Sequence, residues 1–349
     1  MGLPHLQQHR KKLHHTYSFI TKKLIHLNLQ ILYACNFRCK ICDFWKESGA
    51  DLPRLSLPQV QIIADKLKQL RPQIICLGGG EPLLHKDIVN ITRILSVNNY
   101  IMMISNGWFM TPEMVQALWE AGMHHILISL DYADPDRHDQ MRGRKEAFKK
   151  AINAIDTLRR LRMHSYQRVQ IVATILDDNL AEIEPLIRLA GELDISLIVS
   201  LYCKCRGVIK HKPIARDLSP LLLDLKKKYR NFVSMRGYLA KFSEAVQNEN
   251  GIRPCYAGKN LFNINCNGDV TLCIDHLENP VGNILTDDIV EIEQKLKERF
   301  INNTCGDCWT SCRGQVETLM YGRPRIGNML DYHRFSKPVA LHKSKKENA

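Results

Sequence analysis

No stretch of this 349-residue chain stays apolar for anything near the ~20 residues that cross a bilayer. No apolar leader is visible near residue 1, so neither a membrane nor an oxidising compartment is expected to account for the cysteines, and the expected location is the cytoplasm. Leu6 stands where an N-myristoylation site calls for Ser or Thr. Internal repeats and low-complexity tracts are lacking. Aromatic residues are scarce, at 7%. Acids are missing from residues 1–30, which carry Arg10, Lys11, Lys12, Lys22 and Lys23. Residues 323–349 set only Asp331 and Glu347 against seven bases. Most of the net charge of +13 therefore lies in the two ends. Few aromatics interleave with those bases, so nucleic acid is not an expected partner. The ends read as solvated segments or contacts for acidic partners.

What is abundant is cysteine, twelve in all. In a reducing compartment these are metal ligands, catalytic thiols or small core hydrophobes. Cys35, Cys39 and Cys42 form a C-x3-C-x2-C run on one short segment. A complete iron–sulfur cube takes four thiolates, so three leave one iron open. Zinc is the competing reading of close cysteine pairs, although zinc motifs more often join one C-x2-C to a distant second pair.

The rest of the chain alternates. Residues 27–33 read as a strand running into the cysteine loop. Ser56 caps a helix with Val60, Ile63, Ala64, Leu67 and Leu70 at helical spacing. A strand at 74–77 ends in Gly78-Gly79-Gly80-Glu81-Pro82, and a helix follows at 88–95. A strand at 101–104 ends in Ser105-Asn106-Gly107. Thr111-Pro112 opens a helix that Gly122 stops. A strand at 125–130 ends in Ser129-Leu130-Asp131, and a helix is predicted over 145–161. A fifth strand covers 169–175. Asn179 and Glu182 form a candidate capping box. A sixth strand, 196–202, runs into Cys203 and Cys205. Short apolar strands between longer amphipathic segments predict an α/β chain with a parallel sheet, a partial (β/α)6 TIM-like barrel. Its polar motifs all fall at strand C-terminal ends, where such folds keep their sites. Expected divisions are a basic extension (1–26), the barrel (27–208), a helical linker (209–250), a small β-hairpin/α domain (251–322) and a basic tail (323–349).

In this order the motifs resemble the radical S-adenosylmethionine (SAM) enzymes. The resemblance implies that Cys35, Cys39 and Cys42 hold a [4Fe–4S] cluster whose fourth iron is chelated by SAM. Gly79, Gly80 and Glu81 match the segment that meets the methionyl amino group. Asn106 matches a polar position after the third strand, and Ser129 and Asp131 match a ribose-contacting segment. His138-Asp139 with Arg142 resembles an HD-x-x-R segment whose arginine faces the SAM carboxylate. One departure is Ile41, where the family usually has an aromatic near the adenine.

Cys255-x12-Gly268-x4-Cys273 followed by Cys305-x2-Cys308 resembles the SPASM or twitch domains that carry auxiliary [4Fe–4S] clusters. The tally suits one cluster, on Cys255, Cys273, Cys305 and Cys308, with Cys312 able to replace one of them. Structural zinc is the alternative for this group. Asn267-Gly268 predicts a two-residue hairpin pairing Cys266 with Asp269 and Phe262 with Cys273. That would separate Cys266 from Cys273 by roughly 13 Å and leave Cys266 as a packed thiol. Cys203 and Cys205 read either as packed thiols or as donors of hydrogen to a substrate radical. Cys76, inside a strand, reads as core.

The resemblance implies an enzyme that cleaves SAM reductively to a 5′-deoxyadenosyl radical and abstracts hydrogen from a substrate. The auxiliary cluster would assist oxidation or bind substrate. A peptide or protein substrate is favoured, a small molecule next, with flavodoxin or ferredoxin as one-electron reductant. The competing class is an iron–sulfur electron carrier or a zinc-stabilised RNA binder.

Overall fold

The structure, a computed structural model, describes residues 21–47, 52–203, 217–248, 250–323 and 325–336. Six parallel strands lie side by side in chain order. They are β1 (His26–Leu32), β2 (Ile74–Gly79), β3 (Tyr100–Ser105), β4 (Met123–Ser129), β5 (Arg168–Ile175) and β6 (Ser196–Leu201). The predicted α/β architecture with a parallel sheet is present. β1 is buried on both faces, so Leu27, Leu29 and Ile31 join the main core while His26, Asn28 and Gln30 alternate with them. Met102, Leu127, Val172 and Ile198, one each from β3 to β6, form a separate apolar cluster with Val233.

The crossover helices are α1 (Leu57–Leu67), α2 (Ile88–Ser96), α3 (Pro112–Glu120), α4 (Pro135–Arg142), α5 (Ala147–Arg160) and α6 (Ile183–Glu192). α1 starts where predicted, with Ser56 N donating to Gln59 Oε1 at 2.9 Å. Thr111 caps α3 by accepting from Met114 N at 3.3 Å. α4 has no counterpart among the helices expected from the sequence. Its signal was Asp134-Pro135, in which Asp134 Oδ1 accepts from Arg137 N at 2.8 Å and the proline sits in the first turn. The capping box expected at Asn179 and Glu182 is absent. Asn179 instead donates to Asp131 O at 3.0 Å and Thr174 O at 2.8 Å, tying the end of β4 to that of β5.

The C-terminal third does not stand apart as a separate layer. β7 (Leu261–Ile264) pairs parallel with β1, and β8 (Asp269–Thr271) and β9 (Gly282–Asn283) extend the same nine-stranded sheet. The helices here are α7 (Leu218–Lys228), α8 (Arg236–Leu239), α9 (Phe242–Gln247), α10 (Ile289–Ile301), α11 (Ser311–Tyr321) and α12 (Arg325–Ser336). This region also reaches the other edge of the six strands. Tyr238 Oη donates to Val199 O at 3.3 Å, and Ser311 N donates to Ser200 Oγ at 3.1 Å. It therefore contacts both β1 and β6. Within the described part of the expected basic tail, Asp331 of α12 is buried and accepts from Arg236 Nε at 3.2 Å.

The hairpin register differs from expectation by one residue. Asn263 pairs with Thr271 and Ile264 with Val270, so Cys266 does not face Asp269 and Phe262 does not face Cys273. Asn265 takes the place opposite Asp269, leaving a three-residue loop with Gly268 at φ +87°. A type I turn followed by a left-handed glycine competes with the two-residue turn. Asn265 favours it by accepting from both Asn267 N and Asp269 N, at 2.9 Å each.

Candidate metal and cofactor sites

The cysteine loop hangs from the end of β1 and is held from two sides. At the end of β2, Gly80 N donates to Leu32 O at 3.0 Å and Glu81 N to Ala34 O at 2.9 Å. A Cβ on Gly79 would run into Leu32 O, and one on Gly80 into Ala34 O and Tyr33 O. These two glycines let β2 approach the root of the loop. Gly78 differs, because a Cβ there would meet nothing within 4 Å. On the other side, Lys40 N donates to Met141 O at 2.9 Å, and a side chain on Gly143, at φ +61°, would strike Arg38 O.

Glu81 is buried, and its carboxylate serves the scaffold. Oε1 accepts from Ser105 Oγ at 2.9 Å and Leu83 N at 3.2 Å, and Oε2 from Asn106 N at 2.8 Å. Burial pushes Glu81 up to about 7, against the pull of those donors. Asn106 Nδ2 then donates to Asn36 Oδ1 at 2.8 Å, which joins the end of β3 to the cysteine loop.

Cys39 is buried and Cys35 and Cys42 half-buried, packed with Phe37, Ile41, Ala147 and Trp108. Burial pushes the Cys35 thiol up to about 12 and raises Cys39 and Cys42. The Glu81 carboxylate, and after it the other two thiols, add to the rise in Cys35. Metal binding takes the thiolate form and releases those protons. Arg142 Nη1 lies 4.0 Å from Cys39 Sγ, and Nη2 pairs with Asp131 Oδ2 at 2.6 Å. Arg142 Nε is buried with no hydrogen-bond partner. Three cysteines packed in one cluster, a guanidinium with an unused donor and open space beside Gly78 fit an iron–sulfur cluster and an anionic cofactor group.

The HD-x-x-R segment divides its labour. Asp131 N donates to His138 Nδ1 at 3.4 Å. Burial first, and Arg142 next, hold that imidazole far below its usual range and therefore neutral. Asp139 accepts from Phe148 N at 2.8 Å and fixes the start of α5. Only Arg142 of this segment reaches the thiols. Ser129 is half-buried, two residues before Asp131. Ile41 packs against Tyr132, Met141, Leu176 and Tyr202, so aromatic surface comes from other strands.

The second cysteine group shares one pocket. It is lined by Cys255, Cys273, Cys305, Cys308 and Cys312, with Asn28 from β1 and Arg313. Arg313 is buried; its Nε donates to Glu317 Oε1 at 2.9 Å, Nη1 to Cys308 O at 2.6 Å and Nη2 to Ile252 O at 2.5 Å. One guanidinium thus binds the pocket's two walls together and places positive charge among its thiols. Burial pushes Cys255 and Cys312 up to about 12. Cys308 moves the other way, chiefly because the Cys203 thiol donates to it, with Arg313 adding to the pull. Cys203 Sγ, Cys308 Sγ and an Asp275 oxygen lie within 4.8 Å of one another. Cys203 is therefore a neighbour of this pocket, while Cys205 falls outside the described residues. Cys305 Sγ also meets Asp307 Oδ2 at 3.4 Å and His276 Nε2 at 3.9 Å. Cys266 is buried elsewhere. Pattern reading missed Asn28 and Arg313. Their signals were a polar residue amid an apolar strand, and an arginine adjoining Cys312 with Glu317 four residues on.

Residues 29–190 match the radical SAM superfamily, and residues 255–312 match an iron–sulfur cluster-binding domain, SPASM. The AdoMet-dependent heme synthase of Methanosarcina barkeri is 30% identical over 47% of this chain and 46% of its own length. The chain spans about half the length of such relatives. Mycofactocin maturase MftC of Mycolicibacterium smegmatis is 25% identical over 82% of this chain and 76% of its own. Among solved structures, Streptococcus suis SuiB bound to precursor peptide SuiA has a TM-score of 0.62 at 17% identity, covering 80% of this chain and 67% of that one.

Proposed function

Because this chain joins a radical SAM superfamily domain to a SPASM iron–sulfur domain, we propose that it is a radical SAM enzyme that modifies a peptide or protein. The first domain binds a [4Fe–4S] cluster and SAM, and the second binds auxiliary iron–sulfur. When bound, the core cluster and SAM supply a 5′-deoxyadenosyl radical that abstracts hydrogen from a substrate carbon. The protein's part is to hold and shield. Cys35, Cys39 and Cys42 hold the core cluster. Arg142, kept in place by Asp131, offers its remaining N–H groups to the SAM carboxylate. Gly78 leaves room for the cofactor, while Gly79, Gly80 and Glu81 brace the loop. Asn106, Ser129 and Asp131 stand at the strand ends around it.

Cys255, Cys273 and Cys308, with Cys305 or Cys312, hold one auxiliary [4Fe–4S] cluster, and Arg313 offsets its negative charge. Cys203 belongs to the surroundings of this cluster rather than to hydrogen donation. A one-electron donor such as flavodoxin or ferredoxin completes the system. Extent of alignment carries the substrate class. The maturase MftC aligns through both halves, the heme synthase only through about half the chain, and a protein of the same fold holds a precursor peptide.

Iron counting tests the assignment. Anaerobically reconstituted chain should carry about eight irons, and the Cys35→Ala/Cys39→Ala/Cys42→Ala variant about four. Zinc in place of iron would defeat it, and about twelve irons would mean a second auxiliary cluster.

A further inference from the structure

Asn28 sits in the middle of β1, in register with Cys76 on one side and Asn263 on the other. It is 6% exposed. A polar side chain in the middle of a seven-residue, wholly buried strand calls for a partner at each end of its amide. One end has it, since Asn28 Oδ1 lies 3.2 Å from His26 Nε2. His26 is buried and pulled down to about 4, so its ring is neutral at working pH, with the proton on Nε2 in this arrangement. The amide is thereby oriented with oxygen toward His26. The reverse orientation would turn the oxygen toward a group of thiolates, which is electrostatically worse.

The other end, Nδ2, is buried and has no hydrogen-bond partner. Asn28 also lines the pocket of Cys255, Cys273, Cys305, Cys308 and Cys312. Asn28 thus brings a buried N–H that no protein atom accepts to the wall of a cavity lined by five cysteines, with Asp275, Asp307 and Thr310 also on that wall. Cluster and thiolate sulfurs accept such bonds, and hydrogen bonds to them help set reduction potential. An N–H donor stabilises the added electron and so raises the potential.

Resting on the auxiliary-cluster reading above, we propose that Asn28 is a hydrogen-bond donor from the barrel to the auxiliary iron–sulfur centre and keeps its reduction potential high. The rival for this N–H is Asn263 Oδ1, which is likewise buried and unpartnered on the adjacent strand. Asn263 Nδ2 already donates to Thr271 Oγ1 at 3.1 Å, and that hydroxyl donates to Cys273 O at 3.0 Å.

The test uses the full chain with Cys35→Ala, Cys39→Ala and Cys42→Ala, so that the auxiliary cluster alone is read. Its midpoint potential is measured by EPR-monitored titration, alongside iron content, with and without Asn28→Leu or Asn28→Asp. Leucine keeps the size and removes the donor; aspartate removes the donor and adds charge. The expected result is about four irons throughout, a lower potential for Asn28→Leu and a still lower one for Asn28→Asp. An unchanged potential in Asn28→Leu overturns the inference and hands Nδ2 to Asn263. Iron lost from Asn28→Leu but not from the parent also overturns it, making Asn28 a requirement for assembly. A parent without iron defeats the auxiliary-cluster reading itself, and the inference with it.

Discussion

Arg142 and Asp131 form a buried pair beside the cysteine loop, and replacing them singly and together separates a structural role from a cofactor role. Their ion pair is 2.6 Å long, with side-chain exposures of 10% and 0%. Arg142→Met keeps most of the volume but leaves the Asp131 carboxylate buried without its cation. Breaking one partner of such a pair costs about 3–5 kcal/mol, whereas replacing both by neutral groups is often nearly free. Asn at 131 can still accept from Thr174 N, now 2.8 Å from Asp131 Oδ1. The Arg142→Met/Asp131→Asn double variant should therefore lose well under the sum of the singles, with a coupling energy above about 1 kcal/mol. Urea unfolding of the metal-free chain at neutral pH measures this. Additivity within about 0.5 kcal/mol would refute the pairing as an energetic unit. SAM calorimetry on reconstituted protein supplies the second axis. The double variant, although refolded, should still bind SAM weakly, by about 1.5–3 kcal/mol for the lost charge-assisted contact.

Gly80→Ala puts a methyl against Ala34 O and Tyr33 O; about 1–3 kcal/mol of overpacking strain should appear in unfolding, together with loss of core but not auxiliary iron. His26 should make the chain acid-labile. Its folded value of about 4 lies below the ordinary 6.5 because of burial, so unfolded chain takes the proton first. The stability present above pH 6.5 is lost as pH falls toward 4, about 3 kcal/mol from this residue. His26→Leu should flatten that slope in urea midpoints taken between pH 7 and 4, and an unchanged slope would mean His26 is not buried neutral. Arg313→Met should lose auxiliary iron while core iron stays, because the guanidinium joins Cys308 O to Ile252 O; full iron content in that variant would reduce Arg313 to packing.

Strand order and the placement of motifs at strand ends were legible because each strand is a short apolar run and each turn carries glycine, cysteine or acid. The C-x3-C-x2-C loop and the C-terminal cysteine group were legible from spacing. What escaped depends on distant contacts. Glu81 reads as a ligand contact by motif, and the motif gives no sign that its oxygens accept from Ser105, Leu83 and Asn106. The hairpin at 266–268 turned on whether Asn265 would accept two backbone donors, which a dipeptide rule does not weigh. β7 joining the edge of β1 is a nonlocal pairing with no local signal. Cys203 lying against Cys308 likewise depends on the C-terminal segment packing on β6. Helix α4 was overlooked because its eight residues are mostly polar, and only its Asp134-Pro135 start was readable.

The most direct test of the central claim is anaerobic incubation of reconstituted chain with SAM and dithionite, followed by chromatography for 5′-deoxyadenosine. It should form with wild type and not with the Cys35→Ala/Cys39→Ala/Cys42→Ala variant. Iron-loaded wild type that yields none, or a triple variant that yields as much, would contradict the account.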